Sequence, residues 1–508
     1  MRGIILSLAA AVVLTVAGLP GRVAGATVSI DVNTKYQTIS GFGASTAWAS
    51  SMSAADADLL WSTTAGAGLS LHRIRIGGGS TSETSIAKLA VARGAKVWAA
   101  PWEVKSSDIS GNPPKLINAQ DWANTLVSFL TTMKNQGVPI YALSAENEPD
   151  SKGANSTTDY SAAEMASWVG SYLGPALAAT DTKLMAPETM NFCGLSTYLP
   201  ALQSNADAWK YTSIVATHEY GCSPKAYPQI AQAGKEFWET EIYDTDNNED
   251  AGMGSALRVF KIIHEALTIA NMNAWHFWWV YPCCNDNGAL WDKATNKPSK
   301  RLWVMGNYSR FVRPGYVRVS ATAAPTSGVT LTAYLGANDN KVVIVAANTN
   351  SSATSQAFSL SSASATKVTP WVTDNSNSLV AGSTVTPSAN SFTFSLPAQS
   401  VTSLVVDIAG TSVFPLSKAE ATRFSAVKVH CGKALLTIEF AAPKSGLTSV
   451  KLFNLNGTIV KAMTFRTITG GTYSRRFDLA DLPEGFYMVK IDNAPNGYSF
   501  LTGIATSK

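Results

Sequence analysis

Between residues 40 and 312, short apolar runs alternate with stretches whose apolar positions recur at helical spacing. The runs predict eight strands: Ile39–Ala44, Leu71–Ile76, Val97–Pro101, Ile140–Ala145, Leu184–Pro187, Ile214–His218, Glu236–Thr240 and Ala274–Val280. Helices are predicted between them, among them Ala119–Asn135, Ala162–Leu173 and Ser255–Ala270. The last places Leu257, Phe260, Ile263 and Leu267 on one face. Eight strand–helix repeats in about 270 residues have the size and rhythm of a TIM barrel. The predicted class is therefore α/β, with a (β/α)8 TIM barrel over residues 40–313 and a doubly wound sheet as the rival.

After Pro314 the pattern changes. No Arg occurs between Arg318 and Arg423, and no Glu between Arg318 and Glu420. Val329–Tyr334, Lys341–Ala347, Ser391–Leu396 and Thr402–Val406 read as strands between Gly, Asn and Ser turns. They predict a β-sandwich side domain over 314–408, which the early segment 27–39 is expected to join through the strand Thr27–Asp31. Residues 409–424 read as a linker. Residues 425–508 form a small C-terminal all-β domain with strands at Leu435–Phe440, Ser449–Asn454 and Tyr487–Ile491, and a hairpin turn at Asn456-Gly457. No long internal repeat is evident.

The first 26 residues have the three parts of a secretory signal peptide. Arg2 supplies positive charge, Ile4 to Ala17 an apolar stretch, and Ala24-Gly25-Ala26 a small-residue cleavage site. That stretch falls short of the roughly 20 residues needed to span a bilayer. The mature chain is expected to start near Thr27 and to work outside the cytoplasm.

Composition narrows the function further. Of 508 residues, 46% are hydrophobic, enough for a real core, and the net charge of +4 gives no footprint for a nucleic-acid partner. The charge is uneven: from residue 411 on there are 12 Lys+Arg against 6 Asp+Glu, while residues 1–410 hold 27 against 29. Five Cys (193, 222, 283, 284 and 431) suit a secreted chain but leave one over. Cys283-Cys284 is either a vicinal disulfide or two residues with separate partners, such as Cys193 and Cys222. No spacing resembles a zinc site, so no metal or other cofactor is expected. A monomer is expected.

Candidate chemistry lies in two carboxylate motifs. Ala145-Glu146-Asn147-Glu148-Pro149 follows the fourth predicted strand, and Trp238-Glu239-Thr240-Glu241 lies at the seventh. In a barrel the C-terminal strand ends share one cleft. Two carboxyls there can cleave a glycosidic bond, one protonating the leaving oxygen and one attacking or activating water. Glu148 and Glu241 are the candidates. Side-chain alternation leaves Glu146 and Glu239 open, since both share the facing of their neighbours two positions on. Glu103, Glu188 and Glu219 also lie near strand ends. Trp102, His218 with Tyr220, and Trp278 with Trp279 fall at such ends too, and Trp48 is a further cleft candidate, because the apolar face of a sugar packs on a ring. Trp275 and Trp303 are expected to pack between barrel and helices.

Leu143-Ser-Ala-Glu-Asn-Glu-Pro-Asp150 with Trp238-Glu-Thr-Glu241 resembles glycoside hydrolase family 30. The resemblance runs over residues 27 to about 408. It includes Ile39-Ser-Gly-Phe-Gly43, His72-Arg-Ile-Arg75, Ala100-Pro-Trp102, Ala216-Thr-His-Glu-Tyr-Gly221 and Trp278-Trp279. Met305-Gly-Asn-Tyr-Ser-Arg-Phe-Val-Arg-Pro-Gly315 is particularly similar to the xylanase branch. The resemblance implies a retaining mechanism on xylan, with Glu148 as acid/base and Glu241 as nucleophile. Asn147 would bind the sugar 2-hydroxyl, Tyr220 would hold the nucleophile, and Arg73 would lie beneath it. Glucuronoxylan-specific members of this branch carry an Arg just after the double Trp. Here Val280-Tyr-Pro-Cys-Cys-Asn-Asp-Asn-Gly288 contains no Arg or Lys, and Asp286 would repel a carboxylate. Glucuronate is therefore expected not to be required. A second departure is Glu146, where relatives often have Gln. The alternatives are the same mechanism on β-1,6-galactan or a β-glucoside, or an inactive surface glycan-binding protein.

The tail is similar to something else. Val450-Lys-Leu-Phe-Asn-Leu-Asn-Gly-Thr-Ile-Val460 and Asp478-Leu-Ala-Asp-Leu-Pro-Glu-Gly-Phe-Tyr-Met-Val-Lys490 resemble a type IX secretion sorting domain. That implies the type IX machinery as a partner, and a protein secreted or held on the outer surface of a Gram-negative bacterium. A carbohydrate-binding module is the alternative, although the tail has no Trp for sugar stacking.

Overall fold

Eight parallel strands close into a barrel in chain order: β1 (Gly41–Ser45), β2 (Leu71–Gly77), β3 (Lys96–Glu103), β4 (Ile140–Ser144), β5 (Lys183–Thr189), β6 (Thr212–Thr217), β7 (Glu236–Glu239) and β8 (Ala274–Phe277). β8 pairs back onto β1, with Trp275 opposite Phe42. The computed structural model describes residues 26–409 except 152–157, 247–248 and 285. It also describes 428–506 except 432–434, 442–444, 455–458, 469–470, 483–484 and 495–497. The expected signal peptide and linker, apart from Ala26 and Ala409, and the Asn456-Gly457 turn lie outside these residues.

The near-continuous apolar runs have a simple cause. Side chains alternate along a strand, and both faces of a barrel strand are covered. On β3, Trp98, Ala100 and Trp102 fill the barrel interior with Leu71, Met185, Ile214 and Trp238. Val97 and Ala99 face outward into the shell that the helices cover. The same alternation puts Arg73 on the inner face of β2, two residues beyond Leu71.

The helices bury the predicted faces. Ala119–Asn135 packs Trp122, Leu126, Phe129 and Met133 inward. The helix expected at Ser255–Ala270 spans Met253–Thr268, burying Val259, Phe260, Ile263 and Leu267. The one expected at Ala162–Leu173 starts on a capping box, Ser161 with Glu164, but stays α-helical only to Trp168. Val169–Leu173 is a π turn, followed by a short helix Gly174–Leu177.

The expected β-sandwich side domain is built from one nine-stranded sheet that curls on itself. Phe358 and Phe392 from strands near one end share a core with Val368 and Leu404 from strands near the other. The first strand, Val28–Thr38, lies inside this sheet. It runs antiparallel to Val317–Ala321 and parallel to Thr354–Ser361. The strand Lys341–Asn348 is buried on both faces. Val342, Ile344 and Ala346 face the side-domain core, and Val343, Val345 and Ala347 join the barrel's outer core.

Residues 410–508 form a separate compact unit. A three-stranded and a four-stranded sheet share one core, in which Leu436, Ile438 and Phe440 meet Val450, Leu452 and Val489. Among the described residues, no helix is long and apolar enough to cross a membrane.

Candidate active site

At the C-terminal end of the barrel, Arg73 from β2 is the hub. Its Nη2 donates to Glu188 Oε1 on β5 and to Asn147 Oδ1 beyond β4, both at 2.6 Å. Its Nη1 donates to Glu241 Oε2 beyond β7. The guanidinium lies over the rings of Trp102 at 4.2 Å and Trp98 at 5.2 Å. Arg73, Glu188 and Glu148 are all but fully buried, and Glu241 is 5% exposed. Buried carboxylates of this kind persist only with a cation and several donors around them.

His218, just beyond β6, links the remaining carboxyl. Its Nδ1 lies 2.8 Å from Glu148 Oε1 and its Nε2 3.3 Å from Glu188 Oε1. Burial works against a charge on the ring. The Glu241 charge and the hydrogen bonds to Glu148 and Glu188 outweigh it and push His218 up to about 10. The ring is therefore an imidazolium that donates from both nitrogens. Glu188 is held below the usual carboxylate range: burial pushes it up, and Arg73 and His218 more than reverse this. Burial pushes Glu241 above that range, with His218 and Arg73 pulling it back and the Glu148 charge adding to the rise. Tyr220 Oη donates to Glu241 Oε1 at 3.0 Å.

Glu148, His218 and Glu241 bring one ligand-type atom each to within 4.8 Å of one another. By count they could be taken for a metal site. Arg73 already supplies a cation to Glu241, however, and both nitrogens of His218 are engaged by carboxylates. The donor set suits a proton-handling pair better than a metal.

Backbone geometry explains why alternation could not choose between Glu146 and Glu148. β4 ends at Ser144. The chain then turns, and Glu148 adopts φ 47°. Its N–H bonds the Glu188 carbonyl at 3.0 Å, and the Asn147 N–H bonds the Pro101 carbonyl at 2.8 Å. Glu188 itself has φ 60° and Trp48 φ 64°. Left-handed non-glycine residues of this kind cluster at functional sites, where the surroundings force them. Glu146 is fully buried. Glu239 closes β7, its carboxyl accepting from the backbone N–H of Glu241 at 2.6 Å and of His276 at 2.8 Å. Glu103 stands on the rim, loosely paired with Arg75 at 3.6 Å.

The four cleft tryptophans form one group. The Trp48 ring lies 5.8–6.1 Å from those of Trp102, Trp278 and Trp279. Trp48 is 48% exposed and Trp102 only 5%. Trp275 is buried in the barrel's outer core, as expected, whereas Trp303 is half-buried and lies outside that core.

All ten candidate residues thus meet at one end of the barrel. Sequence reasoning missed how far Glu188 belongs to the network, and missed Trp98 and His276. The Trp98 indole donates to His276 Nε2 at 3.0 Å, which leaves the His276 Nδ1 proton for the Glu239 carbonyl at 2.8 Å. Burial holds His276 down at about 3, so it is neutral. The available signal was period two: Trp98 shares the inner face of β3 with Trp102.

The loop beyond Trp279 is tied down. Cys283 and Cys284 are bonded to each other, and Cys193 to Cys222. Asn287 Nδ2 donates to Asp244 Oδ2 at 3.0 Å. Asp244 also binds Arg258 at 2.8 Å. Burial pushes Tyr243 up, and the charges of Asp286 and Glu241 add to it.

Residues 85–281 match the glycosyl hydrolase family 30 TIM-barrel domain, and residues 432–499 a secretion system C-terminal sorting domain. Over 408 residues the chain is 34% identical to glucuronoxylanase XynC of Bacillus subtilis (strain 168), covering 76% of this chain and 92% of that one. The chain belongs to glycoside hydrolase family 30. Among solved structures, the family 30 enzyme is similar to the subfamily 8 xylanase Xyn30A from Clostridium acetobutylicum, with a TM-score of 0.69 and 34% identity over 75% of this chain and 99% of the other. It is also similar to a family 30 endoxylanase from Clostridium papyrosolvens C71, with a TM-score of 0.67 and 33% identity over 75% of this chain and 100% of the other.

Proposed function

We propose that this family 30 enzyme is a secreted, retaining endo-β-1,4-xylanase that does not need glucuronate side groups on its substrate. The observation that carries the mechanism is the spacing of the two carboxyls. A Glu148 oxygen lies within 4.8 Å of a Glu241 oxygen. So close an approach fits the ~5–5.5 Å carboxyl separation of retaining enzymes better than the ~6.5–9.5 Å that leaves room for a water. Glu241 attacks the anomeric carbon while Glu148 protonates the leaving oxygen. Glu148 then takes a proton from the water that breaks the glycosyl ester. Arg73 and Tyr220 orient the attacking carboxylate, one on each oxygen. Asn147, with Oδ1 held by Arg73, offers its amide NH2 to the 2-hydroxyl. The tryptophans receive the apolar faces of the sugars.

Two kinds of relative support xylan as substrate: the glucuronoxylanase over most of its length and the two clostridial xylanase structures. Independence from glucuronate is supported by the 280–288 loop, which lacks the cation for a bidentate carboxylate contact and presents Asp286 instead. The sorting-domain match supports export by the type IX machinery and residence outside the cell.

Reducing-sugar release tests the reading. Glu241→Ala abolishes it; equal release by wild type and variant would remove Glu241 from the chemistry. Glucuronoxylan, arabinoxylan and unsubstituted xylan are expected to be cleaved at comparable rates, and a strong preference for glucuronoxylan would overturn the specificity claim. Products from a panel including β-1,6-galactan and β-glucosides separate xylan from the alternative sugars.

A further inference from the structure

A further buried carboxyl lies outside the Arg73 network, and no step of the proposed reaction uses it. Glu83 is 1% exposed and stands just before the helix Thr84–Ala92. Its Oε2 accepts from Thr46 Oγ1 at 2.7 Å, and its Oε1 from the Arg75 backbone N–H at 2.9 Å. Thr46 opens a tight turn, closed by the Ala49 N–H on the Thr46 carbonyl at 2.8 Å. Trp48 rides on that turn in the left-handed region, at φ 64°. From the opposite side, the Trp279 indole N–H grips the Ala47 carbonyl at 2.8 Å. Arg75, whose backbone Glu83 also holds, places its guanidinium 5.2 Å over the Trp48 ring.

A bulky residue keeps a left-handed conformation only when its neighbours impose it. Among the imposing contacts are the Glu83–Thr46 bond and the Trp279–Ala47 bond, with Thr46 Oγ1 also 3.3 Å from His72 Nε2 and the Thr46 N–H on the Arg73 carbonyl at 3.2 Å. Burying a carboxyl disfavours its charged form. Burial pushes Glu83 up to about 7, even though Thr46 and the Arg75 N–H pull it down. The chain thus keeps a costly group where it grips the two backbone segments that carry Trp48 and Arg75.

We infer that Glu83 is a positioning residue for sugar binding, which through Thr46 and the Arg75 backbone holds Trp48 at the angle where its half-exposed ring serves as a platform in the cleft. The inference rests on the proposed function for the identity of the sugar and for Trp48 as a sugar-binding ring, which the KM of Trp48→Ala alone reads separately.

A double-mutant cycle tests it. Thr46→Val keeps the volume and removes the hydroxyl. It is expected to raise KM for the polymer about five- to twentyfold with kcat within about twofold, and to have no further effect once Trp48→Ala is present. Glu83→Ala is expected to match Thr46→Val. Glu83→Gln is expected to retain the wild-type KM, because its carbonyl accepts from Arg75 and its NH2 donates to the Thr46 hydroxyl. Should Glu83→Ala fail to fold, Thr46→Val and Glu83→Gln carry the test. An unchanged KM in Thr46→Val, or effects of Thr46→Val and Trp48→Ala that simply add, would overturn the inference. The cycle is run on whichever polysaccharide the wild type cleaves, so an error in the substrate leaves this test standing.

Discussion

Replacing Tyr220 with Phe removes one atom from the nucleophile's surroundings and little else. The ring keeps its edge contacts with His218 at 6.1 Å and Tyr243 at 5.7 Å. What is lost is the 3.0 Å bond to Glu241 Oε1, made in a buried site to a carboxylate. Hydrogen bonds to charged groups contribute about 1.5–3 kcal/mol. This one favours the ionised carboxyl over the protonated one, so its loss raises the Glu241 pKa. Burial already pushes that carboxyl upward, so no reserve absorbs the change. The acid limb of kcat/KM reports ionisation of the nucleophile in the free enzyme. A raised pKa moves that limb to higher pH, so Tyr220→Phe is expected to lose most activity on the acid side and least on the plateau. The assay is initial-rate xylan hydrolysis by both proteins from about pH 4 to pH 8. Superimposable acid limbs, even with a uniform loss of rate, would refute the argument, because the Tyr220 bond would then not be setting the ionisation of Glu241.

Two further outcomes are expected. Glu219 has a buried Oε2 with no hydrogen-bond partner, and burial, with the Glu265 charge adding and Lys261 opposing, pushes it from 4.5 up to about 8. A raised folded pKa gives stability that is complete below the unfolded value and is lost as pH climbs to the folded one, here by up to ~5 kcal/mol between those limits. Glu219→Gln, which mimics the protonated form, should match wild type in urea unfolding near pH 4.5 and exceed it by pH 8; parallel curves would place Glu219 in water. The Cys193–Cys222 bridge spans 29 residues, and the chain-entropy relation then gives about 3–4 kcal/mol for its removal. Cys193→Ser should lower the urea midpoint accordingly, and a loss below about 1 kcal/mol would mean that other contacts already hold the Tyr220 loop.

The barrel was legible because its strands are covered on both faces, which writes them as apolar runs, and because the helices between them keep a clear period. The candidate site was legible from one rule, that barrel chemistry gathers at C-terminal strand ends. What escaped depended on where the chain leaves regular structure or meets distant residues. Period two stops at Ser144, so alternation could not rank Glu146 against Glu148. Glu188 reads locally as a loop carboxylate; Arg73, arriving from 115 positions earlier, and His218, 30 positions later, make it a buried counter-ion. A curled single sheet and a two-sheet sandwich share the same strand pattern, since curling is set by which strands become neighbours. Two disulfides were likewise open until the Tyr220 loop was placed beside the helix Phe192–Ser204.

The position of the strand Val28–Thr38 has a consequence for the order of assembly. Ser29 hydrogen-bonds Thr322, 293 residues further on, and Ile30 is in register with Leu360. The barrel closes in the same manner, β1 waiting for β8. The earliest strands to leave the ribosome therefore wait longest for a full set of neighbours. Neither sheet can be completed until more than half of the chain has been made. High contact order of this kind slows folding, and both sheets keep an open edge until those distant strands arrive.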